Sequence, residues 1–129
     1  MLPKQYRLRA DKDIKKVFKK GRRIMTPLLR FQVLETGAEH TRFAIVVSTK
    51  VGKRATTRNL IKRRVREILR SEIKNIPQGF DVVVQARSAS VRYLTEKIKG
   101  QKTPHEIAVS YNDLAISIKE FITKLSSHG

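Results

Sequence analysis

The sequence predicts a single α+β domain over residues 1–129, a sandwich with helices packed on a mixed sheet in the order α-β-β-β-α-β-α. Three observations lead there. Residues 56–71 run without Gly or Pro and carry apolar side chains at helical spacing. Residues 42–48 and 80–86, on either side, are short β-branched runs, so strand, helix and strand form a β-α-β unit with a parallel pair. Residues 111–125 place Leu114, Ile118, Phe121, Ile122 and Leu125 on one stripe, an amphipathic closing helix.

The remaining elements follow in order. Residues 1–10 hold Lys4, Arg7 and Arg9 before any periodic pattern and read as a basic arm. Asp11 or Asp13 then caps a helix over about residues 11–20, with Ile14, Val17 and Phe18 on its apolar face and Gly21 as its stop. Residues 22–27 suit a short edge strand. In residues 28–35, Leu29, Phe31 and Val33 alternate with Arg30 and Gln32, the period of a half-buried strand. Residues 36–40, with Gly37, predict a hairpin turn leading into 42–48, a more apolar strand expected at the centre of the sheet. Residues 88–110 are read as an excursion, with Gly100 and Pro104 interrupting any helix over 93–99.

Composition narrows the class of function. Lys and Arg number 29 against 11 Asp and Glu, a net charge of +18 that favours a polyanion as partner. An apolar content of 40% separates the chain from disordered basic tails. Cys is absent, which removes disulfides and Cys-based zinc sites and suits a reducing compartment. No run approaches the roughly 18 apolar residues of a membrane span, and no signal-peptide pattern opens the chain. The expectation is a cytoplasmic protein.

The basic charge peaks over residues 50–70, where Glu67 is the only acid. Thr56 or Thr57 is the expected cap of this helix. At about 100° per residue, Leu60, Ile61, Val65, Ile68 and Leu69 share one face, and Asn59, Lys62, Arg63, Arg66 and Arg70 another. Arg64 lies beside the apolar stripe, placed to snorkel. Solvated helices normally mix charge signs to gain i,i+4 pairs. Uncompensated repulsion on one face is the mark of a binding surface for nucleic acid.

Catalytic chemistry is missing. His40, His105 and His128 fall in a turn, an irregular stretch and the tail, and the acids form no pair or triad suited to two-metal cleavage. Gly52-Lys53 lacks the spacing of a phosphate-binding nucleotide loop. No catalytic residue and no metal ligand is assigned. Phe18, together with Arg30 and Gln32 on a strand, suggests a stacking platform beside a cation, the usual grip on unpaired RNA.

The segment Arg58-Asn59-Leu60-Ile61-Lys62-Arg63-Arg64-Val65-Arg66-Glu67, preceded by Lys50-Val51-Gly52, resembles the signature of the bacterial ribonuclease P protein family. The first helix from Asp13 to Gly21 and the strands at 42–48 and 80–87 are similar to that family as well. The resemblance implies the same element order with a left-handed β-α-β crossover, where base rates favour a right-handed one. It also implies a protein that assists a catalytic RNA in removing the 5′ leader of precursor tRNA. Catalysis and its Mg²⁺ would then belong to the RNA, with no cofactor on the protein. By the same resemblance Lys53, Arg54, Arg58, Asn59, Lys62, Arg63 and Arg66 would contact the catalytic RNA. Ile14, Phe18, Arg30, Gln32, Lys50 and Arg87 would line the cleft for the single-stranded leader.

Three features depart from the family pattern. Leu60 stands where Arg is frequent, Ile14 where an aromatic is common, and the 88–110 connection is longer than usual. The alternative reading is a ribosomal or RNA-chaperone protein using the same basic face without a reaction.

Overall fold

The computed structural model describes residues 2–94 and 105–128. Its main elements are α1 (Asp11–Lys20), β1 (Arg22–Met25), β2 (Leu29–Glu35), β3 (Arg42–Val46), α2 (Ala55–Ser71), β4 (Phe80–Ala86), β5 (Val91–Leu94), β6 (His105–Ala108) and α3 (Tyr111–His128). The expected order holds, with one addition. The excursion after β4 contains an antiparallel pair, β5 with β6, in which Val91 faces Ala108 and Leu94 faces His105. Tyr93 and Leu94 are therefore strand rather than helix, and residues 95–99 of the expected segment lie outside the described residues.

The four-stranded sheet runs β1-β2-β4-β3, with β2 antiparallel and β3 parallel to β4. The β-α-β unit is thus present, but the centre of the sheet is not where the sequence suggested. β3 stands at an edge and β4 lies between β2 and β3. The reason is burial on both faces, which a strand needs near-continuous apolar residues to survive. Every residue of β4 except Gln85 is buried, whereas β3 leaves Val46 exposed. Residues 36–40 consequently form no β2–β3 hairpin. They pass over the start of β4, where the N–H groups of Thr36 and Gly37 donate to the Gly79 carbonyl at 2.8 and 3.1 Å. Gly37 takes φ 70° there, a conformation that suits a residue without Cβ.

Arg42, entering β3, donates two hydrogen bonds to the Asp81 carboxylate at 2.9 and 2.7 Å. These bonds raise the guanidinium pKa further above its ordinary value. Asp13 lies 3.6 Å from the same guanidinium. Neither Asp11 nor Asp13 caps α1, whose N-cap is Ala10. Both sit in its first turn, at the positive end of the helix dipole. Gly21 ends α1 as expected, but with φ −76°, so the left-handed cap is not the reason. A Cβ at Gly21 would meet the carbonyl oxygens of Val17 at 2.5 Å and Val33 at 2.7 Å, and this close approach excludes other residues.

One sheet face, with Leu29, Phe31, Val33, Phe43, Val82 and Val84, packs against Ile61, Val65, Ile68 and Leu69 of α2 and Leu114, Ile118, Phe121 and Leu125 of α3. The rings of Phe31 and Phe121 stack at 3.9 Å and 8°. On the opposite face Val17 of α1 joins Val83 and Leu8, with Ile14, Leu34 and Ala44 beside them. The basic arm is docked rather than free. Leu2 and Leu8 are buried, and the Leu8 N–H donates to the Phe43 carbonyl at 2.9 Å, extending the β3 edge by one rung.

Candidate nucleic-acid interface

Helix α2 buries Thr57, Ile61, Val65, Ile68 and Leu69, so its inner face is the predicted stripe with Thr57 added and Leu60 only half-buried. The helix begins at Ala55 with Arg54 as N-cap, which places Thr56 and Thr57 inside the first turn instead of at the cap. Asn59, Arg63, Arg66 and Arg70 are exposed on the outer face, Lys62 is half-exposed, and Lys53 and Arg54 are exposed just before the first turn. Among the described residues the ion pairs join Arg42 to Asp81 and Asp13, and Lys124 to Glu120. The cations of the outer face of α2 take no part in them.

Two of the basic side chains have work inside the protein. Arg58 Nη1 donates to the carbonyls of Gly52 and Lys53 at 2.8 and 2.9 Å and so folds the loop that carries Lys53 and Arg54. Arg64 does snorkel, its Nη1 donating to the Val109 carbonyl at 2.7 Å. The N–H groups at the head of α2 are met by an acid that the sequence reading did not single out. The Glu106 carboxylate, on β6, accepts from the N–H of Lys53 and, at 2.9 Å, from that of Arg54. This contact spans more than fifty residues, and no local pattern signals it.

The second region is the part of the sheet that α1 leaves uncovered. A pocket of about 270 Å³ is lined by Met25, Arg30, Val46, Ser48, Val51, Gln85 and Arg87 among others. The pairing explains the grouping, since Gln85 of β4 faces Arg30 of β2 on one side and Val46 of β3 on the other. Arg30 Nε is buried there without a hydrogen-bond partner. Arg87 Nη1 donates to the Thr26 carbonyl at 2.7 Å, which fixes the guanidinium at the rim.

The predicted cleft residues divide. Arg30 and Arg87 come together in this pocket. Lys50 is exposed in the loop between Ser48 and Val51, both of which line it. Phe18 is 44% exposed on α1, which rules out a core role for the ring, although it does not line this pocket. Ile14 is half-buried, packed against the cluster of Leu8, Val17 and Val83. Gln32, expected to face the open cleft, is only 7% exposed, because α1 covers the part of β2 that carries it. Gln85, Val46 and Met25 were missed. A polar residue closing an otherwise apolar run of valines was the one available signal for Gln85.

Among the described residues no group of three or more His, Cys, Asp or Glu could hold a metal ion, and no helix is long and apolar enough to cross a membrane. His40 is half-buried with its ring edge-on to Tyr6 at 5.2 Å.

A family model described as Ribonuclease P matches residues 2–103. The chain belongs to the ribonuclease P protein family. It is 37% identical over 86 residues to the ribonuclease P protein component of Picosynechococcus sp., covering 67% of this chain and 74% of that one. Identity to the corresponding component of Synechocystis sp. is 42% over 84 residues, 64% of this chain and 68% of the relative. In three dimensions it is similar to the ribonuclease P protein of Thermotoga maritima, with TM-score 0.71, 30% identity and coverage of 92% and 96% of the two chains. The Staphylococcus aureus ribonuclease P protein, at 24% identity and TM-score 0.70 over 94% of each chain, shares the fold. In this member of the family the signature helix has a buried apolar face and a basic one that forms no ion pair among the described residues.

Proposed function

We propose that this chain is the protein subunit of a ribonucleoprotein endonuclease that removes the 5′ leader of precursor tRNA in the cytoplasm. Its α2 face binds the catalytic RNA, and the half-covered sheet receives the single-stranded leader. The RNA carries out the hydrolysis with its own Mg²⁺, and the protein contributes positioning and charge. The observation that carries this reading is the set of cations on α2, Lys62, Arg63 and Arg66, that form no ion pair among the described residues, on a helix held by five buried residues opposite. Concentrated positive charge of this kind gains free energy by releasing counterions from RNA. The pocket holding Arg30 supports the second half of the reading, because a buried Nε without a partner is costly until an acceptor arrives.

The test is a leader-cleavage assay at low Mg²⁺ with catalytic RNA alone, protein alone, and both together. Acceleration only in the combined reaction is expected. RNA binding without acceleration would indicate the ribosomal or chaperone alternative. Cleavage by the RNA-free protein would place the chemistry in the protein and overturn the proposal.

A further inference from the structure

A pocket of about 380 Å³ opens on the other side of β3 from the leader cleft, bounded by the docked arm and α2. Leu2, Leu8, Phe43, Ala44 and Ile45 form its walls, and its charged members are Arg7, Arg9 and Arg66. Arg7 and Arg9 belong to the arm and Arg66, far away in the sequence, to α2; they line one pocket because the Leu8 N–H donates to the Phe43 carbonyl, which lays the arm along the β3 edge. Arg7 is anchored, its Nε donating to the Leu2 carbonyl at 2.7 Å. Arg9 and Arg66 are exposed and take part in no ion pair or hydrogen bond among the described residues. No acidic residue lines the pocket.

Three guanidinium groups around one concavity repel one another unless an anion sits between them, and the planar fork of Arg suits phosphate oxygens. We propose that Arg7, Arg9 and Arg66 together hold one backbone phosphate of the catalytic RNA. The interface would then continue from α2 across the β3 edge onto the N-terminal segment. The inference rests on the reading of α2 as the RNA-binding face and joins to Arg66 of the signature two residues, Arg7 and Arg9, that the signature does not contain. The apolar walls leave room for the attached ribose, while the basic rim takes the charge.

The test measures binding of the catalytic RNA as a function of salt for the full chain and for Arg9→Ala, Arg66→Ala and the double variant, with Arg63→Ala as an α2 control outside the pocket. Arg9 is exposed and makes no hydrogen bond or ion pair among the described residues, so the melting temperature of Arg9→Ala should match the unmodified chain. Each single variant should weaken binding by about tenfold, as expected for loss of a charge-assisted hydrogen bond. If the two arginines share one phosphate, the double variant should lose less than the product of the single losses. Its log–log salt slope should then fall by about one unit in total.

Additive losses with a slope reduced by about two would mean separate contacts and overturn the shared site. Normal binding by Arg9→Ala would overturn it too, while leaving the α2 reading intact if Arg63→Ala and Arg66→Ala still weaken binding. No effect from either of those would instead remove the α2 reading. Melts in inorganic phosphate at constant ionic strength separate the possible sources of the anion. Coupling between Arg9 and Arg66 seen only there, and not with RNA, would show a free-phosphate site and refute the assignment.

Discussion

Replacing Phe18 by Ala separates a recognition role from a packing role, because the ring is neither buried nor free. Fully burying a Phe side chain is worth about 1.5–3 kcal/mol. With the residue 44% exposed, a little over half of that is at stake, or about 0.8–1.7 kcal/mol. The site opens to solvent, so no closed cavity adds the further penalty that takes a core Phe→Ala change to about 3–5 kcal/mol. A stacked base contributes on the order of 1–3 kcal/mol. If Phe18 stacks on the leader, Phe18→Ala should weaken binding of precursor tRNA to the assembled ribonucleoprotein by about five- to 150-fold. Binding of mature tRNA should stay nearly unchanged. The assay is a pair of equilibrium titrations with the two RNAs, alongside a thermal melt of the free protein. Equal losses for both RNAs would refute the leader assignment, and a melt showing about 3 kcal/mol or more of destabilisation would refute the burial estimate.

Other perturbations have distinct signatures. Arg63→Ala, at an exposed site with no ion pair among the described residues, should lower the salt slope of catalytic-RNA binding by about one unit without changing the melt. Arg58→Ala should weaken binding and also lower the melting temperature, because Gly52 and Lys53 lose the donor to their carbonyls; an unchanged melt would show that the loop holds itself. Glu106→Ala should cost about 1 kcal/mol and speed amide hydrogen exchange at Lys53 and Arg54, read by NMR. Gly21→Ala should destabilise by about 1–3 kcal/mol in denaturant titrations, since the new methyl meets two backbone carbonyls. Arg42→Met leaves Asp81, only 4% exposed, without its partner and should cost about 3–5 kcal/mol. Adding Asp81→Val to that chain should recover most of the loss, and failure to do so would locate the cost elsewhere.

What the sequence determined by itself is what repeats locally. The apolar stripes of α2 and α3, the extent of α1 and the one-sided cations of α2 all follow from residue spacing over one or two helical turns, and the structure places them as expected, save that Leu60 is only half-buried and Thr57 joins the α2 stripe. The signature at Arg58–Glu67 is local as well, which is why the family could be read from it. Pairing between distant strands is a different kind of information. That β4 separates β2 from β3 depended on which strand could be buried on both faces, a competition settled only when all four strands are assembled. The burial of Gln32 beneath α1, the docking of Leu2 and Leu8, and the meeting of Arg30 with Gln85 follow from that order. The tertiary structure alone also gave Arg58 and Glu106 their tasks, since a side chain hydrogen-bonds to whatever the fold brings within about 3 Å of it.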